Sequence, residues 1–216
     1  MSAGPLLVVG TANRKKGREL AELFSPLGLE LATLADFLNA IAVAEEGETF
    51  AANAVLKAAR QARHLAQWVL ADDSGLAVDA LDGAPGVHSA RYSGPQANDQ
   101  SNNRLLLDKL AGTPLQKRTA RFVCRMALAD PSGTVRAESE GTCRGRVLFA
   151  PQGAGGFGYD PLFEIVEYHR TFGQLSPLVK ECLSHRARAA RGLIPAIRRL
   201  IDSGQWHSSR HEGVTR

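Results

Sequence analysis

The sequence has few cysteines and no long apolar run. No stretch approaches the ~20 apolar residues that a membrane-spanning helix needs, and the first five residues lack the basic start of a secretory signal. The three cysteines, Cys124, Cys143 and Cys182, cannot all pair within one chain and lack the close C-x-x-C spacing of zinc sites. We therefore expect reduced thiols and a cytoplasmic location, with no membrane partner.

Internal repeats and low-complexity segments are also absent, so a single globular fold is the expectation. Apolar residues make up 44% and charged residues 22% of the 216 positions, which is typical of globular proteins. We expect one α/β folding unit over residues 1–204 and a polar, flexible tail over 205–216. The net charge of +4 favours an anionic partner, which could be nucleic acid, a membrane surface or a phosphorylated small molecule.

The first motif with a chemical meaning is a basic loop between a predicted strand and a predicted helix. Leu6 to Val9 form a short apolar run closed by Gly10, which indicates a buried strand, and apolar residues recur at helical spacing from Lys16 to about Pro26. Backbone N–H groups in the intervening loop, Thr11 to Lys16, can surround a phosphate. A solvated basic face is the alternative, but such loops are where open α/β sheets bind ligands.

Two acidic pairs provide candidate metal ligands. Trp68 to Ala71 predict another buried strand, and Asp72 to Gly75 predict a tight turn at its end. The two aspartates there offer hard oxygen ligands for magnesium and a base for water, although simple turn chemistry explains them equally well. Glu45 and Glu46 precede a predicted helix from Thr49 to about His64, where they either complement the helix dipole or supply a further metal ligand.

A hairpin and a terminal helix complete the predicted elements. From Arg121 to Ala129 every second residue is a larger apolar one, which is typical of a strand with one buried face. A Pro-Ser-Gly turn leads into a partner strand from Val135 to about Gly145. Ser184 can cap a last helix, which Pro195 should kink or restart. One face of this helix is apolar: Leu193, Ile197, Leu200 and Ile201.

The glycine-rich segment Gly153 to Gly158 matches the dinucleotide pattern G-x-G-x-x-G but does not follow a strand or open a helix. We therefore exclude a Rossmann site and predict a loop that a ligand can approach closely, with Phe157 or Tyr159 available to stack on a planar ring. An ordinary glycine turn with core aromatics is the alternative.

Lys180 and the run Ser184 to Arg186 supply hydrogen-bond donors that can read the polar edge of a base. The alternative is that these residues are ordinary surface residues.

Taken together, these segments resemble the inosine triphosphate pyrophosphatase family, which removes deaminated purine nucleotides from the nucleotide pool. The resemblance is collinear over most of the chain, and the order of its motifs is far more specific than any one of them. The matching segments are 11–16, Glu45 with 49–54 and Lys57, 72–76, 83–86, 89–92, 155–161, Lys180 and 184–186. The chain departs from the pattern at Glu46 to Glu48, which leaves the choice between Glu45 and Glu46 open, and in its longer tail.

The resemblance implies an elongated mixed sheet flanked by helices, two lobes with the active-site cleft between them, and a homodimer. Its implied reaction is attack of water at the α-phosphorus of dITP, ITP or XTP, with Mg²⁺ as cofactor, releasing the monophosphate and pyrophosphate. The implied catalytic residue is Asp73, and the implied metal ligands are Glu45 and Asp73, with Asp72 nearby. The implied substrate-binding residues are Thr11, Ala12, Asn13, Arg14, Lys15, Lys16, Lys57, Ser74, Phe157, Gly158, Tyr159, Asp160, Lys180, His185 and Arg186.

Two other functions remain possible from the sequence. A pyrophosphatase for other modified nucleoside triphosphates would differ only in its base pocket. A basic module that binds nucleic acid would instead use the cationic loop and the arginine-rich last helix to follow a phosphate backbone. We expect no nucleic-acid partner.

Overall fold

The computed structural model describes residues 5–11 and 13–206, but not the side chain of Arg14. Seven strands form one mixed sheet in the order β2-β1-β3-β4-β5-β6-β7. The strands are β1 Leu6–Val9, β2 Glu30–Thr33, β3 Val69–Val78, β4 Thr119–Ala129, β5 Val135–Val147, β6 Phe163–Ile165 and β7 Arg170–Thr171. The helices are α1 Arg14–Phe24, α2 Phe50–Leu65, α3 Asp99–Lys109, α4 Pro177–Leu183 and α5 His185–Asp202.

The pairing of the strands makes the sheet mixed. Strand β1 runs parallel to both β2 and β3, with Val9 opposite Thr33 on one side and Leu70 on the other. Strands β5, β6 and β7 pair antiparallel. The predicted α/β class with helices beside a mixed sheet is therefore confirmed. None of the helices in the described part of the chain is long and apolar enough to cross a membrane.

The chain divides into two compact units. Of the described residues, unit 1 contains those up to Asp72, residues 125–139 and those from Ala189 to Trp206, whereas unit 2 contains Asp73–Cys124 and Glu140–Arg188. Strands β3, β4 and β5 and helix α5 contribute residues to both units. The expectation of a single domain over residues 1–204 stays a prediction.

The core of unit 1 is built around the alanine-rich helix α2. Thr49 caps this helix, because its hydroxyl accepts a hydrogen bond from the backbone N–H of Ala52 at 3.1 Å. Three alanines on the apolar face, at positions 54, 58 and 62, pack with Val69 and Ala71 of β3. Small side chains allow the helix to lie close to the sheet, and this packing holds the first residues of β3, up to Ala71, in place.

The core of unit 2 is aromatic. Phe122 of β4 lies 4.6 Å from Phe163 of β6 between ring centroids, and Phe163 lies 5.6 Å from Phe172. Leu106 of α3 and Leu110, which directly follows the helix, are completely buried in the same cluster. Helix α3 is one of the elements that the sequence patterns did not predict, together with β2, β7 and α4. Its apolar face is short, and the rest of the helix is polar.

Most predicted element boundaries agree with the structure to within a few residues. Helix α1 begins at Arg14 rather than Lys16 and is followed by a short 3-10 turn that Gly28 ends in a left-handed conformation. Strands β4 and β5 are neighbours in the sheet and are joined by five residues, which confirms the predicted hairpin. Helix α5 contains Pro195 in its interior, and Ser184 caps its first turn as predicted.

The predicted tail is described only at its beginning. Trp206 is buried, and its ring stacks on Trp68 with centroids 4.3 Å apart and planes 11° apart. Residues 207–216 lie outside the described residues, so the flexible tail remains a prediction there. The stacked pair anchors the segment that follows α5 to the start of β3 within unit 1.

Candidate active site

The acidic motif Asp72 to Gly75 lies inside strand β3 and not in a turn, so the sequence prediction is wrong here. The strand continues through Leu76 to Val78, whose side chains are needed in the core of unit 2. Position 75 of the strand is a glycine because a neighbouring chain segment approaches the backbone closely there. A Cβ at this position would lie 2.6 Å from the carbonyl oxygen of Gly86 and would also meet the hydroxyl of Ser89.

The strand conformation separates the two carboxylates. Consecutive side chains of a strand point to opposite faces, so Asp73 shares a face with Val69 and Ala71, and Asp72 shares one with Leu70. The two neighbouring carboxylates therefore do not converge on one ion as a turn would have allowed. Both are almost fully buried, with 2% of Asp72 and 5% of Asp73 exposed. A buried carboxylate is costly unless a cation or hydrogen bonds balance it.

The basic loop of unit 1 brings one cation to this strand. Gly10 donates its backbone N–H to the carbonyl of Leu70 at 2.7 Å, which holds the end of β1 against β3. In the first turn of α1, Lys16 Nζ then lies 3.3 Å from Asp72 Oδ2. The structure thus brings together a predicted phosphate ligand and a predicted acidic residue.

Asn13 caps helix α1 at the start of the same loop. Its side-chain oxygen accepts hydrogen bonds from the backbone N–H groups of Lys15 at 3.0 Å and Lys16 at 3.2 Å. Its own backbone N–H donates to the hydroxyl of Thr11 at 3.1 Å. An arriving phosphate would compete with Asn13 for these helix N–H groups. Two predicted ligands, Ala12 and the side chain of Arg14, lie outside the described residues.

A lysine of helix α2 holds Glu45, the other predicted acidic site residue of unit 1. Lys57 Nζ donates to Glu45 Oε1 at 2.8 Å, and both side chains are half-buried. One turn earlier, the buried Asn53 accepts a hydrogen bond from the backbone N–H of Gly47 at 2.7 Å. Glu46 is mostly exposed, and its nearest cation in the described residues is Arg60 at 3.9 Å. Of the two glutamates, Glu45 is therefore the one held in a defined position.

In unit 2 the predicted base-binding residues form a second cluster around Asp160. This buried carboxylate accepts hydrogen bonds at one oxygen, Oδ2, from Lys180 Nζ at 2.8 Å and from the backbone N–H of Phe157 at 2.9 Å. Lys180 Nζ lies 4.8 Å from the centroid of the Phe157 ring, and the Arg186 guanidinium lies 5.5 Å from it. Arg186 also donates to the hydroxyl of Ser74 at 3.2 Å.

His185 is fixed by an aromatic partner. Its ring stacks on Phe122 with centroids 4.7 Å apart and planes 11° apart, and only 5% of the residue is exposed. Arg186 is equally buried at the start of α5. Long cationic and imidazole side chains are rarely buried without a purpose, so the interpretation of this pair as ordinary surface is wrong.

Tyr159 is the predicted site residue that the structure places elsewhere. Its ring is buried in the core of unit 2, and its hydroxyl donates to the carbonyl of Ser89 at 2.9 Å. Burial raises the pKa of this phenol well above its usual range, with Tyr92 and Asp99 contributing in the same direction. Tyr159 is therefore not available to stack on a base. Phe157, whose ring is partly exposed, is the aromatic residue that remains for this role.

Ser89 supports the site although the sequence patterns did not assign it a role. Its hydroxyl accepts from the backbone N–H of Leu76 at 2.9 Å and donates to the carbonyl of Gly86 at 2.6 Å. Its carbonyl receives the hydroxyl of Tyr159. Ser89 thus links strand β3 at Leu76 to Tyr159, the residue that follows the glycine-rich segment. Its membership in one of the collinear segments was the signal that could have identified it.

Oxygen donors for a metal are present, but they are few. Among the residues that the structure describes, no three His, Cys, Asp or Glu side chains come together as a ligand group. Mg²⁺ does not require such a group, because it usually binds one or two carboxylates and completes its shell with water and phosphate oxygens. Asp73 and Glu45 each offer carboxylate oxygens of the kind that Mg²⁺ binds.

Comparison with known proteins identifies the family. The model of the Ham1 family matches residues 7–196. A dITP/XTP pyrophosphatase of Rhodopirellula baltica is 53% identical, over 91% of this chain and 95% of the relative. Another, from Geobacillus kaustophilus, is 52% identical over 85% of this chain and 89% of its own length.

Solved structures agree with these relatives. A HAM1 protein from Coxiella burnetii superposes with a TM-score of 0.82 at 33% identity, over 90% of this chain and 98% of its own. A nucleoside-triphosphatase / dITP/XTP pyrophosphatase from Mycobacterium abscessus gives a TM-score of 0.71 at 42% identity, over 88% and 99% of the two chains. The resemblance inferred from the collinear motifs is confirmed, and the chain belongs to the Ham1 family.

Proposed function

We propose that the protein hydrolyses deaminated purine nucleoside triphosphates, namely dITP, ITP and XTP, to the nucleoside monophosphate and pyrophosphate. One observation carries the proposal: strand β3 holds two adjacent, almost fully buried carboxylates, Asp72 and Asp73. Burying both charges destabilises the fold and favours a role in cation and phosphate chemistry. The relatives named dITP/XTP pyrophosphatase support the substrate class.

Mg²⁺ is the metal we propose, with Glu45 and Asp73 as its protein ligands. When bound, it would neutralise the charge that develops on the phosphate oxygens. Glu45 is favoured over Glu46 because Lys57 and the segment around Gly47 hold it in place, whereas Glu46 is mostly exposed. Lys57 would then exchange its carboxylate partner for a phosphate oxygen when substrate binds.

The cationic loop of unit 1 would bind the triphosphate. Lys16 and the N-terminal N–H groups of α1 provide positive charge and hydrogen-bond donors for phosphate oxygens. In the absence of substrate, Asp72 balances Lys16 and Asn13 satisfies the helix N–H groups. A phosphate, which has the same charge sign as Asp72, can replace these internal partners.

Asp73 would act on the attacking water. Its carboxylate would accept a hydrogen bond from the water and take its proton as the oxygen attacks the α-phosphorus. The leaving group is pyrophosphate, whose charge Lys16 and Lys57 would stabilise. Because the group that accepts the proton must be charged, activity should require ionised Asp73.

Selection for deaminated bases would come from the donors of unit 2. Lys180, His185 and Arg186 carry N–H groups, which match the 6-keto oxygen of hypoxanthine or xanthine. The 6-amino group of adenine would leave these buried donors unsatisfied, and such a mismatch costs on the order of 1–3 kcal/mol per lost hydrogen bond. Phe157 would stack on the ring of the base.

A nucleotide panel tests the proposal. With Mg²⁺ present, purified protein should convert dITP and XTP to monophosphate and pyrophosphate while leaving ATP largely intact. Release of orthophosphate in place of pyrophosphate would refute the site of cleavage. Preference for a modified pyrimidine triphosphate would favour the alternative pyrophosphatase, and salt-dependent binding of DNA or RNA without hydrolysis would favour the nucleic-acid module.

The variant Asp73→Asn tests the proposed catalytic residue. It preserves the shape of the side chain but removes its charge, so turnover of dITP should fall by at least about 100-fold, the lower range for loss of a general base. The melting temperature should change little. Asp82→Asn is the matched control, because Asp82 is an exposed aspartate of the same unit in a left-handed conformation that asparagine also adopts. Near-normal turnover in Asp73→Asn would remove this role.

We further propose that the active protein is a cytoplasmic homodimer, as the family resemblance implies. Light scattering on the purified protein measures the mass, which is 23.2 kDa for one chain. A mass near that of one chain at micromolar concentration would contradict the dimer.

A further inference from the structure

Two side chains of helix α3 hold both backbone groups of Gly158. The N–H of Gly158 donates to Asp99 Oδ2 at 2.8 Å, and its carbonyl accepts from Asn103 Nδ2 at 3.0 Å. Asp99 and Asn103 are four residues apart, so they lie on the same face of the helix. Neither belongs to the segments from which the site residues were predicted. We call this arrangement the Gly158 clamp.

The clamp acts on a residue whose backbone conformation is unusual. Gly158 has φ +61°, a left-handed conformation that side chains disfavour. Glycine adopts this conformation without steric cost but is also free to leave it, so the hydrogen bonds of the clamp help to define it. Gly155 and Gly156 on its N-terminal side are exposed. The two α3 side chains therefore supply order that the loop composition does not.

The clamp also determines the orientation of Phe157. The peptide before Phe157 is held by Asp160, which accepts the Phe157 N–H at 2.9 Å, and the peptide after it is held by Asp99 through the Gly158 N–H. With both flanking peptide planes fixed, only the side-chain torsions of Phe157 remain adjustable. Its ring is directed to Lys180 and Arg186, the residues proposed to read the base.

Helix α3 is itself rigidly attached to unit 2. The buried Asn102, between the two clamp residues, donates to the carbonyls of Ala90 at 3.2 Å and Ser89 at 3.4 Å and accepts from the backbone N–H of Ser93 at 2.8 Å. Leu106 and Leu110 anchor the following turns in the aromatic core. A helix held in this way can transmit its position to the loop.

We propose that Asp99 and Asn103 are positioning residues that set Phe157 for stacking on the purine base and so contribute to substrate specificity. The proposal rests on the proposed function for the identity of the base. The geometric part, that α3 orders the glycine loop, does not depend on catalysis. Neither residue touches the reacting atoms, so their effect should be on the binding of the base and not on the chemical step.

Hydrogen–deuterium exchange on the full-length protein tests the geometric part. Asp99→Ala and Asn103→Ala should each speed exchange in peptides covering residues 153–160. Asp99→Asn should show a smaller increase, because its amide oxygen can still accept the Gly158 N–H. The matched control is Lys109→Ala, which removes an exposed charged side chain from the same helix and should leave the loop unchanged. Unchanged exchange in both alanine variants would overturn the clamp.

Steady-state kinetics test its role in base recognition. The two alanine variants should raise KM for dITP by about 3- to 10-fold, the range for losing one hydrogen bond, with kcat within about 2-fold of the parent protein. Inhibition by pyrophosphate, which has no base, should be unchanged, whereas inhibition by IMP should weaken in parallel with KM. A fall in kcat at unchanged KM, or faster exchange with unchanged KM, would refute the specificity role.

The two proposals can fail separately. If the parent protein does not hydrolyse dITP, the proposed function fails, while the exchange measurement still decides whether the clamp orders the loop. If the parent protein is active and the alanine variants match it in exchange and in KM, the clamp fails and the proposed function stands.

Discussion

The ion pair between Lys180 and Asp160 should contribute measurably to the stability of unit 2. Its N···O distance is 2.8 Å, and the two side chains are only 12% and 5% exposed. At an effective dielectric constant of about 20, two charges at this distance attract by about 6 kcal/mol, and desolvation offsets much of that. We expect a net coupling of about 2–3 kcal/mol, in the range measured for close, desolvated pairs.

A double-mutant cycle measures this coupling. Asp160→Asn and Lys180→Met should each destabilise by about 2–4 kcal/mol, because each leaves a buried partner without its counter-charge. The double variant should be more stable than the sum of the single effects predicts by the coupling energy. Urea unfolding followed by circular dichroism yields the four free energies.

An exposed pair in the same unit provides the control. Arg121 Nη1 and Asp79 Oδ1 are 3.1 Å apart, but their side chains are 47% and 54% exposed. The equivalent cycle with Arg121→Met and Asp79→Asn should give a coupling of at most about 0.5 kcal/mol, because water screens exposed pairs. Equal couplings in the two cycles, or a value below about 0.5 kcal/mol for the buried pair, would refute the reasoning from burial.

Two further predictions concern residues outside the proposed active site. Trp206→Ala should destabilise the protein by about 3–5 kcal/mol, since it removes a buried ring that stacks on Trp68, and urea unfolding monitored by circular dichroism measures the loss; a loss below about 1 kcal/mol would contradict anchoring by this pair. Of the three thiols, only the exposed Cys182 should react with a disulfide reagent at pH 8, because Cys124 and Cys143 are buried and burial raises the pKa of Cys143 to about 11. Denaturation should expose all three, and reaction of more than one thiol in the folded protein would contradict the burial.

Local sequence patterns identified the helices and strands in which apolar residues recur in a clear pattern. The apolar run of β1 and the alanine-rich α2 match the structure within a residue or two. Helix α3 has a weak apolar period, and β2 and β7 are short, so no local pattern predicted them. These elements are stabilised by partners that are distant in the chain, such as the pairing of β2 with β1.

The predicted site residues occur in both units. Lys16 with Asp72 and Lys57 with Glu45 are paired in unit 1, and further predicted residues surround Asp160 in unit 2. The roles of these residues remain predictions. The stacking role of Tyr159 does not fit, because its ring completes the core and its hydroxyl binds a buried carbonyl. From the sequence, a core tyrosine and a base-stacking tyrosine look the same.

The sequence alone determined the family, the α/β class and the positions of the acidic and basic motifs. A family resemblance depends on which motifs occur and in what order along the chain, so it can be recognised without coordinates. Tertiary structure decided that Asp72 and Asp73 lie in a strand, with their side chains on opposite faces. The strand continues past them because Gly75 packs against Gly86 and Leu76 is buried in the core of unit 2. It also decided that α3 holds Gly158, since that contact joins residues 55 and 59 positions apart.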